Sequence, residues 1–189
     1  EVITSSNTFI ATSNSVLYVG AKPVFVDIDK QTLNIDINQI EQIILDSKNI
    51  KAIFPGHFSG LPCDMEKIRQ LADGYDLAVV EDAVHALGAT YDNGNKVGNC
   101  QYSDMTCFSF HPVKGIASGE GGMITTNNPD TYHKLTLLRS HGITKGNFQF
   151  PGISYPDSSL INKDKALENG ELKRWYYEMQ HLGYNYRIT

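Results

Sequence analysis

Short apolar segments alternate with helical segments along most of this chain, and this alternation restricts the possible folds more than any other feature. The runs with the length and composition of buried strands are residues 2–4, 23–26, 52–54, 78–80, 106–110 and 123–125. Strands covered by helices on both faces are apolar throughout rather than at alternate positions. The pattern therefore predicts an α/β fold with a mostly parallel central sheet and helices on both faces.

Two of the intervening segments have the period of a helix with one apolar face. Segment 37–45 places Ile37, Ile40, Ile44 and Leu45 on that face, and segment 65–72 places Met65, Ile68, Leu71 and Ala72 there. An aspartate directly precedes each segment, at the position where a side-chain oxygen can cap the first free backbone N–H groups. We predict Asp36 and Asp64 as these caps.

Length and composition indicate a single α/β body. A chain of 189 residues with 41% hydrophobic residues can bury one sizeable core. Its first residues read as a buried strand with nothing before it, and its last residues lead toward an element that does not follow. We therefore expect residues 1–189 to be one large domain truncated at both ends, in which the polar segment 147–169 is a long loop.

Several classes of partner and site are not expected. The net charge is -5 and no basic stripe is present, which argues against nucleic acid. The chain has no apolar run of about 18 to 20 residues and no signal-peptide pattern, which argues against a membrane. Its three cysteines form no CxxC pair, so we expect reduced thiols in a cytoplasmic protein. Its six histidines lack metal-site spacing, so we expect no metal.

The strand at 78–80 is followed by two candidate site residues, Asp82 and His85, three positions apart. Ligands of open α/β sheets collect at the carboxyl ends of the strands, where an acid can meet a cationic heterocycle. A helix cap explains Asp82 equally well, and a packed or surface histidine explains His85 equally well.

The strand at 106–110 leads through Ser109, His111 and Lys114 to a glycine-rich turn and another strand. A lysine held near the sheet between apolar neighbours is partly removed from water, which favours the neutral amine that attacks a carbonyl. Most lysines are solvated surface groups, which is the competing explanation. The glycines match neither GxGxxG nor GxxxxGK[ST], so a nicotinamide or ATP site is not favoured.

Four segments in this order resemble the DegT/DnrJ/EryC1/StrS family of pyridoxal-phosphate (PLP) sugar aminotransferases. They are SNTFIATSNSVLYVGAKPVFVDID, EDAVHALGA, SFHPVKGIASGEGGMITT and LRSHG. The resemblance covers nearly the whole chain and implies the large domain of an aspartate-aminotransferase-like PLP transferase. Within the family, FSFHPVKGIASGEGG, LRSHGI and RWYYEMQHLGYNYRIT are most similar to transaminases that make UDP-4-amino-4,6-dideoxy-N-acetyl-β-L-altrosamine, a pseudaminic acid precursor.

The resemblance assigns a role to each candidate residue. Lys114 matches the lysine that forms a Schiff base with PLP and moves the proton, and Asp82 matches the carboxylate facing the pyridine nitrogen. His85 matches a position near the phenolic oxygen of the cofactor. Phe9 matches the aromatic residue stacked on the ring, with a packed core phenylalanine as the alternative. Ser109 matches the hydroxyl that binds the cofactor phosphate.

The remaining expectations also come from the resemblance. Asn185 resembles a residue that reaches into the site of the neighbouring subunit of a homodimer, although Arg187 could fill that part. L-glutamate would donate the amino group, and C4 of a UDP-4-keto-6-deoxy sugar would receive it, for surface glycan biosynthesis. The upstream phosphate-binding turn and the C-terminal small domain of the family are absent from this sequence.

Three other hypotheses about function remain from the sequence alone. The chain could act on another nucleotide-linked keto sugar, or at C3 of the sugar. It could be an inactive, truncated member with a binding or regulatory role, although intact Lys114, Asp82 and Ser109 argue against decay of the site. A nicotinamide oxidoreductase is disfavoured because the segment after the first strand contains no glycine.

Overall fold

The structure, a computed structural model, describes residues 1–144 and 181–186 together with three two-residue strands, Leu167–Glu168, Glu171–Leu172 and Glu178–Met179. It comprises two compact units, of which the first contains Glu1–Asn127 and the second is Asn128–Arg187. Of the predicted loop at 147–169, all but Leu167–Glu168 lies outside the described residues.

The first unit is built on a six-stranded sheet. Its strands are β1 (Val2–Ser5), β2 (Pro23–Val26), β3 (Ala52–Phe54), β4 (Ala78–Asp82), β5 (Met105–Ser109) and β6 (Gly122–Thr125). They lie in the order β2-β1-β3-β4-β5-β6. All neighbours from β2 to β5 are parallel, whereas β6 is antiparallel to β5. The predicted mostly parallel sheet is confirmed.

Three α-helices accompany this sheet: α1 (Ile10–Tyr18), α2 (Ile37–Asp46) and α3 (Met65–Gly74). Both predicted caps are confirmed, since the Asp36 side chain accepts a hydrogen bond from the Asn38 N–H and that of Asp64 accepts one from the Lys67 N–H. Helix α1 is not predicted by its sequence, because apolar residues such as Leu17 lie on its exposed side as well as its buried one.

Alternate side chains of the strands enter two separate apolar clusters. Ile3 and Ile53 belong to the larger cluster, together with apolar residues of α2 and α3. Val2 and Ala52 belong to the smaller one, together with Val16 of α1. Because successive side chains of a strand point to opposite faces, α2 and α3 cover one face of the sheet and α1 covers the other. The predicted α/β layering is therefore confirmed.

The second unit contains one described helix and four short strands. Helix α4 (Pro129–Leu138) is capped by the Asn128 side chain, which accepts hydrogen bonds from the backbone N–H groups of Asp130 and Thr131. Strand β7 (Ile143–Thr144) pairs antiparallel with β10 (Glu178–Met179). Strand β8 (Leu167–Glu168) pairs antiparallel with β9 (Glu171–Leu172).

The three cysteines of the chain are free thiols. Burial raises the pKa of Cys63 to about 12 and that of Cys107 to about 11, so both stay protonated at neutral pH and are weak nucleophiles. Among the described residues, no group of three or more histidines, cysteines and acids could hold a metal ion. Within those same residues, no helix is long and apolar enough to cross a membrane.

Candidate active site

Asp82 is the last residue of β4, which extends two residues beyond the predicted segment. Its backbone N–H donates to the Pro55 carbonyl at 2.9 Å, and its carbonyl accepts from the His57 N–H at 3.0 Å. The chain that follows forms turns rather than a helix. The helix-cap explanation for Asp82 is therefore wrong, and the residue is fixed at the carboxyl end of a central strand.

The carboxylate of Asp82 is oriented by the first turn of α1. The Thr12 hydroxyl donates to Oδ2 at 2.6 Å, and the Thr8 hydroxyl lies 3.1 Å from that of Thr12. The other oxygen, Oδ1, has a longer contact of 3.3 Å with the Val84 N–H. Sequence reasoning missed both threonines, although their spacing of four residues is one that places side chains together at the start of a helix.

Lys114 and His85 meet in the structure. The Lys114 Nζ atom lies 2.8 Å from His85 Nε2, across turns that follow the neighbouring parallel strands β5 and β4. Lys114 is half-buried, but its apolar neighbours Val113 and Ile116 are 77% and 59% exposed. The prediction that apolar neighbours shield Lys114 is therefore wrong for these two side chains, and the contact that holds the amine is the polar one to His85.

The other predicted site residues lie in different parts of the chain. Ser109 ends β5, where its half-buried side chain accepts a hydrogen bond from the His111 N–H at 3.3 Å. Phe9 directly precedes α1 and is 73% exposed, so a packed core phenylalanine is excluded. Asn185 belongs to the second unit, where it forms an antiparallel bridge with Ser140. Arg187 lies outside the described residues.

Sheet topology explains why five of these residues share one edge of the first unit. Phe9 follows β1. Asp82 ends β4 and His85 follows it, whereas Ser109 ends β5 and Lys114 follows it. These three strands belong to the parallel part of the sheet, so their carboxyl ends point the same way. That edge is where ligands bind in open α/β sheets.

The turn after β3 supports the backbone of His85. Gly60, in the short 3-10 turn Phe58–Gly60, has a φ of +90°, a value that residues with a side chain rarely adopt. A Cβ atom on Gly60 would lie 2.8 Å from the His85 carbonyl oxygen. Only glycine therefore allows this close approach of the two turns.

We expect Gly60→Ala to destabilise the fold by about 1–3 kcal/mol, because it adds backbone strain and a clash with His85. Urea unfolding of the variant measures this. Gly74→Ala is the matched control, since Gly74 has no atom near its missing Cβ, and it should leave stability unchanged or raise it by up to about 1 kcal/mol. Equal stability of both variants would show that the two turns are not tightly apposed.

A buried carboxylate, Glu81, lies directly before Asp82 and is fully inaccessible to solvent. Its two oxygens accept hydrogen bonds from four side chains: His57 and Tyr91 at Oε2, and Ser103 and Thr106 at Oε1. The sequence held one clue to this burial. Val79 and Glu81 are two apart in an apolar strand, and the face that buries Val79 also buries Glu81.

Burial raises the pKa of Glu81, but hydrogen bonds from His57, Ser103 and Tyr91 outweigh it and hold the pKa below its ordinary value of 4.5. A folded-state pKa below the unfolded one stabilises the fold above about pH 4.5, and this stabilisation is lost as the pH falls through the folded-state pKa. We expect the free energy of unfolding of the parent to fall more steeply below pH 4.5 than that of Glu81→Gln, which cannot titrate there. Urea unfolding at several pH values tests this, and equal slopes would contradict it.

Two curated relatives match this chain over most of its length. It is 39% identical to the UDP-4-amino-4,6-dideoxy-N-acetyl-beta-L-altrosamine transaminase of Campylobacter jejuni, over 100% of this chain and 42% of that protein. It is 42% identical to the GDP-perosamine synthase of Caulobacter vibrioides, over 92% of this chain and 46% of that protein. The chain thus spans less than half the length of these curated relatives.

Two solved structures share the fold at substantial sequence identity. PseC from Helicobacter pylori, an aminotransferase involved in the biosynthesis of pseudoaminic acid, superposes with a TM-score of 0.78 at 30% identity, over 99% of this chain and 42% of that one. NtdA from Bacillus subtilis, with the cofactor PMP bound, gives 0.67 at 38% identity, over 75% and 31%. Residues 1–189 match the family itself. The chain therefore belongs to the DegT/DnrJ/EryC1/StrS aminotransferase family.

Proposed function

We propose that this protein binds PLP and transfers an amino group from L-glutamate to C4 of a UDP-linked 4-keto-6-deoxy sugar. The observation that carries the proposal is the 2.8 Å contact between the Lys114 amine and His85. Three residues before His85 lies Asp82, whose carboxylate accepts a hydrogen bond from Thr12 at 2.6 Å. An amine that can attack an aldehyde and a carboxylate that can pair with a cationic ring then lie at one edge of the sheet.

The side chains at this edge fit the functional groups of PLP. The Lys114 amine matches the aldehyde, and the Asp82 carboxylate matches the ring nitrogen, whose protonated form it stabilises. Phe9 offers an exposed aromatic face for the ring. Ser109 offers a hydroxyl for the phosphate. When bound, PLP supplies an electron sink for the carbon that loses its proton.

The residues of the chain then have separate tasks. Lys114 would hold the cofactor, and its free amine would move a proton at the reacting carbon. His85 hydrogen-bonds that amine and fixes its orientation. Thr12 donates to Oδ2 of Asp82, which leaves Oδ1, with its longer contact of 3.3 Å to Val84, as the oxygen less engaged by the protein.

The choice of sugar follows the functions for which the relatives are named. The Campylobacter jejuni relative is a transaminase for a UDP-linked amino sugar, and PseC acts in the biosynthesis of pseudoaminic acid. We infer the same substrate class here, with glutamate leaving as 2-oxoglutarate and the sugar C4 carbonyl becoming an amine. We also infer a cytoplasmic homodimer, in which Asn185 reaches the site of the partner subunit.

A second candidate is amination of a GDP-linked keto sugar. It is favoured by the 42% identity to GDP-perosamine synthase, which is slightly higher than the 39% identity to the UDP-sugar transaminase. Both candidates use the same lysine, carboxylate and cofactor, so only the nucleotide and the sugar differ.

The two candidates separate in one assay of the full-length protein. PLP, glutamate and either a UDP-4-keto or a GDP-4-keto sugar are incubated with it, and mass spectrometry follows the amino sugar while a coupled enzyme follows 2-oxoglutarate. We expect amination of the UDP sugar. Amination of the GDP sugar alone would favour the second candidate, and no product from either sugar would contradict both.

A further inference from the structure

We propose that Glu81 is a positioning residue, which holds the segment 81–85 so that Asp82 and His85 face the cofactor correctly. This inference rests on the proposed function, because it concerns the PLP site. Its basis is the buried hydrogen-bond network beneath that site, which neither the family match nor the sequence motifs assign to any task.

Glu81 is an anion held only by neutral groups. The His57 Nδ1 atom accepts a hydrogen bond from the Cys63 N–H at 3.2 Å, which places the ring proton on Nε2, where it is donated to Glu81 at 2.8 Å. Tyr91 donates at 2.6 Å and Thr106 at 2.9 Å. Among the described residues, Glu81 has no ion pair with a lysine or an arginine.

The donors to Glu81 come from segments on both sides of β4. His57 follows β3, Tyr91 lies in the turns after β4, and Ser103 and Thr106 lie just before and within β5. Each segment is thereby tied to the residue next to Asp82. A displaced Glu81 would displace Asp82 with it, because the two are consecutive in one strand.

His57 joins this network directly to the site. Its side chain bonds Glu81, and its backbone N–H donates to the Asp82 carbonyl at 3.0 Å. The turn that begins at His57 also brings Gly60 against the His85 carbonyl. Asn34 also fixes this turn, since its side chain accepts a hydrogen bond from the Phe58 N–H at 2.8 Å and donates one to the Leu61 carbonyl at 3.0 Å.

An amide weakens this network. Glutamine has one accepting oxygen and one donating NH₂, so only two of the four partners of Glu81 can go on donating to it, and the other two must turn to accept. His57 cannot be one of these by moving its proton to Nδ1, because that atom faces the Cys63 N–H. Loss of the negative charge weakens every remaining bond and the hydroxyls must reorient, so the segment is expected to shift.

The test compares Glu81→Gln and Thr106→Val with Thr4→Val in the full-length protein. Thr4 is a fully buried β1 threonine whose hydroxyl bonds the Phe54 carbonyl at 3.1 Å and does not contact Glu81, so it is a matched control for Thr106. The readouts are the PLP dissociation constant and the ¹⁵N chemical shift of labelled PLP, which reports protonation of the ring nitrogen, together with the melting temperature.

We expect Glu81→Gln to weaken PLP binding about tenfold and Thr106→Val about threefold, each with a ¹⁵N shift displaced toward that of Asp82→Asn, while Thr4→Val changes only the melting temperature. If Glu81→Gln does not fold, the comparison of Thr106→Val with Thr4→Val tests the positioning role by itself. A Thr106→Val protein that matches Thr4→Val in affinity and ¹⁵N shift would overturn the positioning role while leaving the proposed function intact. Failure of the parent to bind PLP would overturn both.

Discussion

Lys114→Ala should reduce kcat/KM for amino transfer by at least about 10⁴-fold, the largest loss expected of any single substitution in this chain. In the proposed mechanism the variant loses both the amine that bonds PLP and the group that moves the proton, and general acid–base catalysis alone contributes about 10²–10⁴-fold. The fold should be preserved, because Lys114 is only half-buried and its apolar neighbours are exposed. Steady-state kinetics with a melting curve measures both effects.

Two further variants show whether the amine itself matters. Lys114→Arg keeps a cation but has no nucleophilic amine, so it should be as inactive as the alanine variant. Lys67→Ala removes an exposed lysine of α3 that pairs with Asp64 at 2.6 Å, and it should keep full activity. An arginine variant with substantial activity would contradict covalent bonding of the cofactor by Lys114.

Asp82→Asn should lower kcat by about 10²–10³-fold while the protein stays folded. An asparagine can still accept a hydrogen bond from Thr12, but it carries no negative charge to keep the ring nitrogen protonated, so the electron sink is weakened. Kinetics of both half-reactions and the ¹⁵N shift of bound PLP measure the effect.

Thr12→Val provides the graded comparison for Asp82. It keeps the charge of Asp82 but removes the 2.6 Å hydrogen bond that orients the carboxylate. We therefore expect a loss of about tenfold, smaller than that of Asp82→Asn. Wild-type kcat in Asp82→Asn would show that the carboxylate does not act on the cofactor.

The layered fold could be predicted because most of its determinants are local. Apolar runs matched all six strands of the large sheet to within two residues at either end, and Asp36 and Asp64 marked the starts of α2 and α3. Helix α1 was not predicted, because its apolar side chains lie on several sides of the helix rather than on one face. The antiparallel direction of β6 escaped because it depends on pairing with β5, which a single strand sequence does not encode.

The candidate site was predicted only in part, for a related reason. Lys114 and His85 are 29 residues apart, and family resemblance assigned both to the cofactor before the structure placed them 2.8 Å apart. The role of Thr12 could not be predicted, because its hydrogen bond to Asp82 spans 70 residues and depends on a helix that was not predicted. The Glu81 network could not be predicted, because its four donors come from three segments that meet only when the sheet has formed.

The most direct test of the account is borohydride reduction of the full-length protein in the presence of PLP, followed by peptide mass spectrometry. The account predicts one pyridoxyl group per chain, attached to Lys114, and no incorporation into Lys114→Ala. Attachment to a different lysine in the folded parent, or equal attachment in the variant, would contradict the assignment of the active site.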